Sequence, residues 1–158
     1  MGTVLVFVDF SPTTSAIIRI ARKLAQALSM NAILLHVSTP DADAEGGQMR
    51  RDLSRRGIAL EMRQYQRELN ILAMECMKLG VETTGLLVRG RSTRGNPVPK
   101  MVSEIKRIKP SLIVMGTHQH SRFFEAMFGS ASSKVIHKAP CPILLIPSNG
   151  SARNRSFG

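Results

Sequence analysis

Apolar residues in this chain come in two kinds of run that alternate from one end to the other. Val4-Leu5-Val6-Phe7-Val8 is continuous and rich in β-branched and aromatic side chains, which predicts a strand buried on both faces of a parallel sheet. Asp9-Phe10-Ser11-Pro12 follows, with Ser11 placed to cap a helix and Pro12 to occupy its first position. Ile17, Ile20, Ala21, Leu24, Ala25 and Leu28 then recur at the three- and four-residue spacing of one helical face. Ser29-Met30-Asn31 ends that helix, and Ala32–Val37 reads as a second strand. A strand–helix–strand unit of this kind requires a right-handed crossover and a parallel pair.

The pattern continues beyond the polar loop Ser38–Gln48. Ile58, Met62, Tyr65, Leu69, Leu72 and Cys76 mark the inner face of a long helix, with Gly57 expected to interrupt its first turns and Gly80 to cap its end. Val81–Arg89 predicts a third strand. Pro97 opens a third helix faced by Val98, Met101, Val102, Ile105 and Ile108, and Lys109-Pro110 stops it. Leu112–Met115 predicts a fourth strand, a further helix reaches about Lys138, and Ile143–Ile146 is the last strand. Five strands alternating with four helical segments predict an α/β fold, an open doubly wound parallel sheet with helices on both faces. Residues 1–147 form the expected domain, followed by a small, polar, basic tail over 148–158 that is expected to be disordered.

Composition narrows the class. At 158 residues and 43% apolar, the chain suits one domain with a continuous core. The two cysteines, Cys76 and Cys141, are too few for a disulfide scaffold and read as reduced thiols on packing positions. The N-terminus carries no basic leader, and no run approaches the roughly 18 apolar residues of a membrane span, so a cytoplasmic location is expected. Lys and Arg outnumber Asp and Glu by 22 to 11, a net charge of +11. That field attracts phosphates, nucleic acid or anionic membranes, and fits a solvated basic surface equally well. Six Phe, one Tyr and no Trp leave little material for a base-stacking platform.

In a doubly wound sheet, ligands lie beyond the carboxyl ends of the strands, where the strand order reverses. Asp9, Val37 and Met115-Gly116 each stand at such an end. Gly116-Thr117-His118-Gln119-His120 leads on to Gly129-Ser130-Ala131-Ser132-Ser133, where a glycine opens a serine-rich helix start. First-turn amides and serine hydroxyls there can accept an anion, or the serines can simply cap an ordinary helix. The stretch by itself fits both.

Over Val4–Ile146 the chain resembles the universal stress protein family. Asp9-Phe10-Ser11 matches the family's opening signature, Leu34-Leu35-His36-Val37 its second strand, and Leu112–Gly116 its fourth. Ala139-Pro140-Cys141-Pro142-Ile143-Leu144 is similar to the lead-in to its fifth. The family's ATP-binding branch carries glycine, two residues, glycine, nine residues, then glycine with serine or threonine. Gly116 and Gly129-Ser130 fit that frame, while Gln119 replaces the middle glycine. If a positive φ is needed there, the replacement costs about 1–2 kcal/mol.

The resemblance implies a regulatory stress-response module that binds ATP, or ADP or AMP, with Mg²⁺ able to accompany the nucleotide. It implies that Asp9 and Val37 line the adenine and ribose end, Val37 through its backbone. It places Met115 and Gly116 beside the ribose and first phosphate, Gln119 near the phosphates, and Gly129, Ser130 and Ser132 on the outer phosphates. For Asp9 a cap on the first helix is the alternative, and for Val37 and Met115 plain core packing. The resemblance also implies a homodimer joined through Ile143–Ile146, an edge strand that needs covering, and a protein partner to receive the signal.

Two other readings use the same residues. Gln119 could close the site and leave a module that only docks a protein. Alternatively, Arg50–Arg67, Arg89, Arg91, Arg94, Arg153 and Arg155 could serve nucleic acid or polyphosphate, with the steep salt dependence such binding shows. His118 and His120 make an incomplete metal site, and His36, in a buried strand, is expected to be a satisfied core histidine. His137, near a helix end, suits the helix dipole. No acid–base pair, paired nucleophile or Gly-Lys-Ser/Thr loop is present, so turnover beyond slow ATP hydrolysis or self-phosphorylation is not expected.

Overall fold

The computed structural model describes residues 1–39, 48–90, 97–117 and 139–147, with only the backbone described along 48–54. In chain order these form β1 (Thr3–Phe7), α1 (Thr14–Ala27), β2 (Asn31–Ser38), α2 (Gln48–Lys78), β3 (Thr83–Arg89), α3 (Val98–Ile108), β4 (Leu112–Gly116) and β5 (Ile143–Ile146). The expected helix before Lys138 and the tail 148–158 lie outside the described residues. All strands pair in parallel in the order β3-β2-β1-β4-β5, the doubly wound arrangement the alternating runs predict.

Two cores flank the sheet. On one face Val4, Val6, Val8, Leu34 and Val114 pack against Ile17, Ala21 and Ala25 of α1 and Leu69, Ala73 and Cys76 of α2. On the other, Leu5, Phe7, Leu35, Val37, Ile113 and Met115 pack against Met101 and Ile105 of α3. The alternation of side chains along each strand sends successive residues into opposite cores. This explains why the central runs Val4–Phe7, Ala32–Leu35 and Leu112–Met115 are apolar at every position and not at every second one.

Glycines set how closely the layers approach. A Cβ on Gly85 would stand 3.0 Å from the backbone of Leu69, so α2 lies almost on β3. Gly80, at φ +87°, closes α2: its N–H donates to the Met77 carbonyl and that of Val81 to the Cys76 carbonyl. This is the Schellman arrangement expected of a glycine there. It also draws Val81 out of the third strand, which begins at Thr83.

Two local expectations are corrected. Gly57 does not interrupt α2, which runs unbroken from Gln48 to Lys78. A helical glycine costs only about 1 kcal/mol relative to alanine, less than the packing of the segment that follows supplies. Nor does α1 begin at Pro12. Ser11 and Pro12 form a preceding turn, closed by the Thr14 N–H on the Ser11 carbonyl at 3.0 Å, and the helix starts at Thr14.

On α3, the buried carboxylate of Glu104 meets Lys100 Nζ at 2.9 Å and Arg107 Nε at 2.7 Å. Burial raises its pKa, but the bonds from Lys100 and Arg107 outweigh it and hold the group below the ordinary carboxyl range. A folded pKa below the unfolded one gives stability that is full above the unfolded value of about 4.3. That contribution is lost as pH falls through the lower, folded value. Melting curves of the wild type and Glu104→Gln should therefore differ most at neutral pH and converge below about pH 4. A gap that does not change with pH would assign the effect to packing alone.

Candidate functional site

The crevice begins where the central strands part. β1 and β4 pair through Val6↔Val114 and no further, although β4 continues to Gly116 and goes on pairing with β5. The reversal of strand order falls between these two strands, so the opening lies at the topological switch point.

Asp9 stands two residues beyond β1, on the rim of this opening. Its Oδ1 accepts the Ser11 N–H at 3.0 Å and the Thr14 hydroxyl at 3.3 Å. The carboxylate therefore braces the turn ahead of α1, close to the capping role that is the alternative reading of Asp9. The Ser11 hydroxyl instead meets that of Thr13 at 2.9 Å, and no side chain caps the helix itself. Among the described residues Oδ2 makes no hydrogen bond, leaving an acceptor on the rim.

Val37 is in the core by its side chain and at the rim by its backbone. Its isopropyl group is buried in the α3-side core. The β1–β2 ladder ends at Phe7↔Leu35 and the Val8 N–H bond to the Leu35 carbonyl at 2.9 Å. The next rung would join the Val37 N–H to the Val8 carbonyl. That rung is not made, and the Val8 carbonyl accepts from His36 Nδ1 at 2.6 Å. A carbonyl can only accept, so Nδ1 carries the proton. The Val37 N–H consequently faces the end of the sheet without a strand partner among the described residues.

His36 is the satisfied core histidine the sequence suggests. Burial holds its pKa below the ordinary value, opposed by the Val8 carbonyl and the charges of Asp9, Glu61 and Glu68. Its ring lies 4.8 Å from Phe10 and 4.6 Å from Tyr65, and Phe10 stacks on Tyr65 at 5.0 Å with planes 6° apart. Phe10 has φ +54°, rare for a bulky side chain. The stack offsets that strain and ties the β1–α1 loop to α2, placing Asp9. Burial, then the bond from its hydroxyl to Glu61 at 2.8 Å, pushes the Tyr65 pKa up to about 12.

Sequence reasoning missed this three-ring cluster. Tyr65 was visible only as a member of an apolar helix face, and Phe10 only as part of a short signature.

Met115 is wholly buried and belongs to the core by its side chain. Gly116 has a packing reason to be glycine: an added Cβ would meet Ile17 Cδ1 at 2.6 Å. Burial raises the pKa of both Cys76 and Cys141, so neither thiol is activated. A cleft of about 340 Å³ lies on the α2 side of the β1–α1 loop, lined by Phe10, Ser11, Pro12, Glu68, Ile71 and Leu72 among others. It adjoins Asp9 without including it. Gln119, Gly129, Ser130 and Ser132, with His118, His120 and His137, lie outside the described residues.

Comparison with known proteins bears on what this geometry belongs to. The family model described as "Universal stress protein family" matches residues 1–147. The chain belongs to the universal stress protein family. A relative from Thermus aquaticus, "Universal stress protein in QAH/OAS sulfhydrylase 3'region", is 28% identical over 145 residues, covering 91% of this chain and 97% of its own. Among solved structures, the universal stress protein UspA from Lactobacillus plantarum shares the fold at TM-score 0.71 and 20% identity, over 92% of this chain and 97% of that one. The universal stress protein from Archaeoglobus fulgidus in complex with dAMP matches at TM-score 0.54 and 20% identity, with the same coverage of 92% and 97%. Among the described residues, no helix is long and apolar enough to cross a membrane.

Proposed function

We propose that this universal stress protein binds an adenine nucleotide at the switch-point crevice and acts as a ligand-gated regulatory module in stress response. The observation that carries the reading is a pair of polar groups on the rim without a hydrogen-bond partner among the described residues, the Val37 N–H and Asp9 Oδ2. A backbone N–H suits a ring nitrogen of the base, and a carboxylate oxygen suits ribose hydroxyls, so the described half of the crevice fits the nucleoside end of such a ligand. The dAMP complex of the Archaeoglobus fulgidus protein supports the ligand class.

In this reading Met115 and Gly116 border the ribose through their backbone, while Gln119, Gly129, Ser130 and Ser132 receive the phosphates, with Mg²⁺ where the nucleotide carries it. The domain is 1–147. Its edge strand β5, with Leu144 36% exposed, pairs with a second copy to form a homodimer. The protein works in the cytoplasm by passing nucleotide occupancy to a protein partner.

The test is to denature the purified protein, identify released nucleotides, and titrate ATP, ADP, AMP and GTP into the stripped protein by calorimetry. Adenine-selective binding that persists at raised salt is the expected result. If no nucleotide binds, Gln119 closes the site and the module docks a protein alone.

A further inference from the structure

The outward surface of the α1/α2 layer combines two properties that do not ordinarily share a face. At about 100° per residue, Arg56, Arg63 and Arg67 fall within roughly 40° of one another on α2, and all three are exposed. Further along the same face stand Ile71, Met74 and Met77, exposed by 56%, 53% and 47%. Isolated exposed apolar side chains are ordinary; three within two turns, Met74 in line with the arginines and Ile71 and Met77 about 60° to either side, form a patch.

Basic residues outnumber acidic ones on that face, where Asp52, one turn before Arg56, is the carboxylate of α2 that the helical spacing places on the same stripe. Between residues 55 and 78 the carboxylates are Glu61, Glu68 and Glu75, which fall roughly 100–140° round the helix from Arg56. Two of them take hydrogen bonds from their own helix, Glu61 from Tyr65 and Glu68 from Gln64. Packed on the same face of the sheet, α1 adds Arg19, Arg22 and Lys23 and contains no acidic residue. Among the described residues, the ion pairs are those of Glu104 on the opposite layer, and none involves these cations.

We propose that this face is a docking surface for an anionic lipid membrane. Arginines alone would serve any polyanion. A nucleic acid, however, would leave Ile71, Met74 and Met77 in water, whereas a bilayer buries them at the boundary of headgroups and acyl chains while the guanidiniums meet lipid phosphates. The shape agrees, because a helix ridge is convex and meets a flat surface without needing a groove. From Arg56 to Met77 that ridge is about 32 Å long at 1.5 Å per residue. It covers the β2–β3 side of the sheet, away from β5, and its occupation does not depend on the nucleotide crevice.

Sedimentation of the full chain with vesicles tests the proposal. Vesicles of phosphatidylcholine mixed equally with phosphatidylglycerol should bind the protein, and pure phosphatidylcholine should not. Replacing Arg56, Arg63 and Arg67 together with glutamine should weaken binding about 100-fold, from the typical contribution of a basic residue near an anionic surface. The variant Ile71→Ser, Met74→Ser, Met77→Ser keeps every charge and should weaken vesicle binding at least about tenfold. All six side chains are exposed, so melting temperatures should confirm that both variants fold. Vesicle binding unchanged in the serine variant would overturn the proposal. So would absent vesicle binding alongside duplex DNA binding that the serine variant retains, which would assign the face to nucleic acid.

Discussion

Leu69→Ala will lower the free energy of unfolding by about 2–5 kcal/mol, the range for a buried leucine truncated in a close-packed site. Leu69 is fully buried and, among the described side chains of α2, is the first buried one. Its backbone lies 3.0 Å from the Cβ that Gly85 lacks, so the helix is already seated against the strand and cannot sink further to fill the space. The cavity therefore remains, which places the cost toward the upper part of the range. Tyr65 stands one turn earlier and carries the stack on Phe10, so the loss should also loosen the β1–α1 loop. Urea denaturation measures the cost. Ile71→Ala, two residues on but exposed, serves as control and should stay within about 0.5 kcal/mol. A Leu69→Ala cost as small as the control's would mean that α2 is not seated as described.

Asp9→Asn separates the loop brace from the nucleotide contact proposed for this carboxylate. Asparagine keeps an oxygen where Oδ1 accepts from Ser11 and Thr14, so the loop brace survives. The second oxygen becomes an amide that donates and cannot accept from a ribose hydroxyl. A hydrogen bond to a charged group contributes about 1.5–3 kcal/mol, so affinity for adenine nucleotide should fall about 10–100-fold, with little change in stability. Calorimetric titration and thermal melting of the same preparation decide it. Unchanged affinity in a folded variant would leave Asp9 as a structural brace alone. Reduced stability with unchanged affinity would point the same way.

Most strand positions were legible as continuous apolar runs bounded by polar or glycine residues, and β3 by the shorter run Leu86-Leu87-Val88 at its end. The structure moves their ends by only one or two residues. Gly80 and the Lys109-Pro110 stop were legible for a related reason: a left-handed cap and a proline act on the backbone locally, whatever surrounds them. Of the candidate site, the positions of Asp9, Val37, Met115 and Gly116 at strand ends could be foreseen. Their division of labour could not.

That division is tertiary. Whether Asp9 or Ser11 braces the turn depends on where Thr14 falls once α1 packs. Among the described residues the Val37 N–H has no strand partner, while His36, on the neighbouring position, reaches the Val8 carbonyl across the sheet. Gly116 looks like a ligand-contact glycine in one dimension, and in three it also lies close against Ile17 Cδ1. The Phe10–His36–Tyr65 cluster joins residues from β1's end, β2 and α2, and no local pattern links them. By itself the sequence determined the order and kind of the elements, since hydrophobic period and backbone-restricting residues act within a few positions. The strand order, the open crevice and the basic-apolar outer face were decided only by packing, because they depend on contacts between residues far apart in the chain.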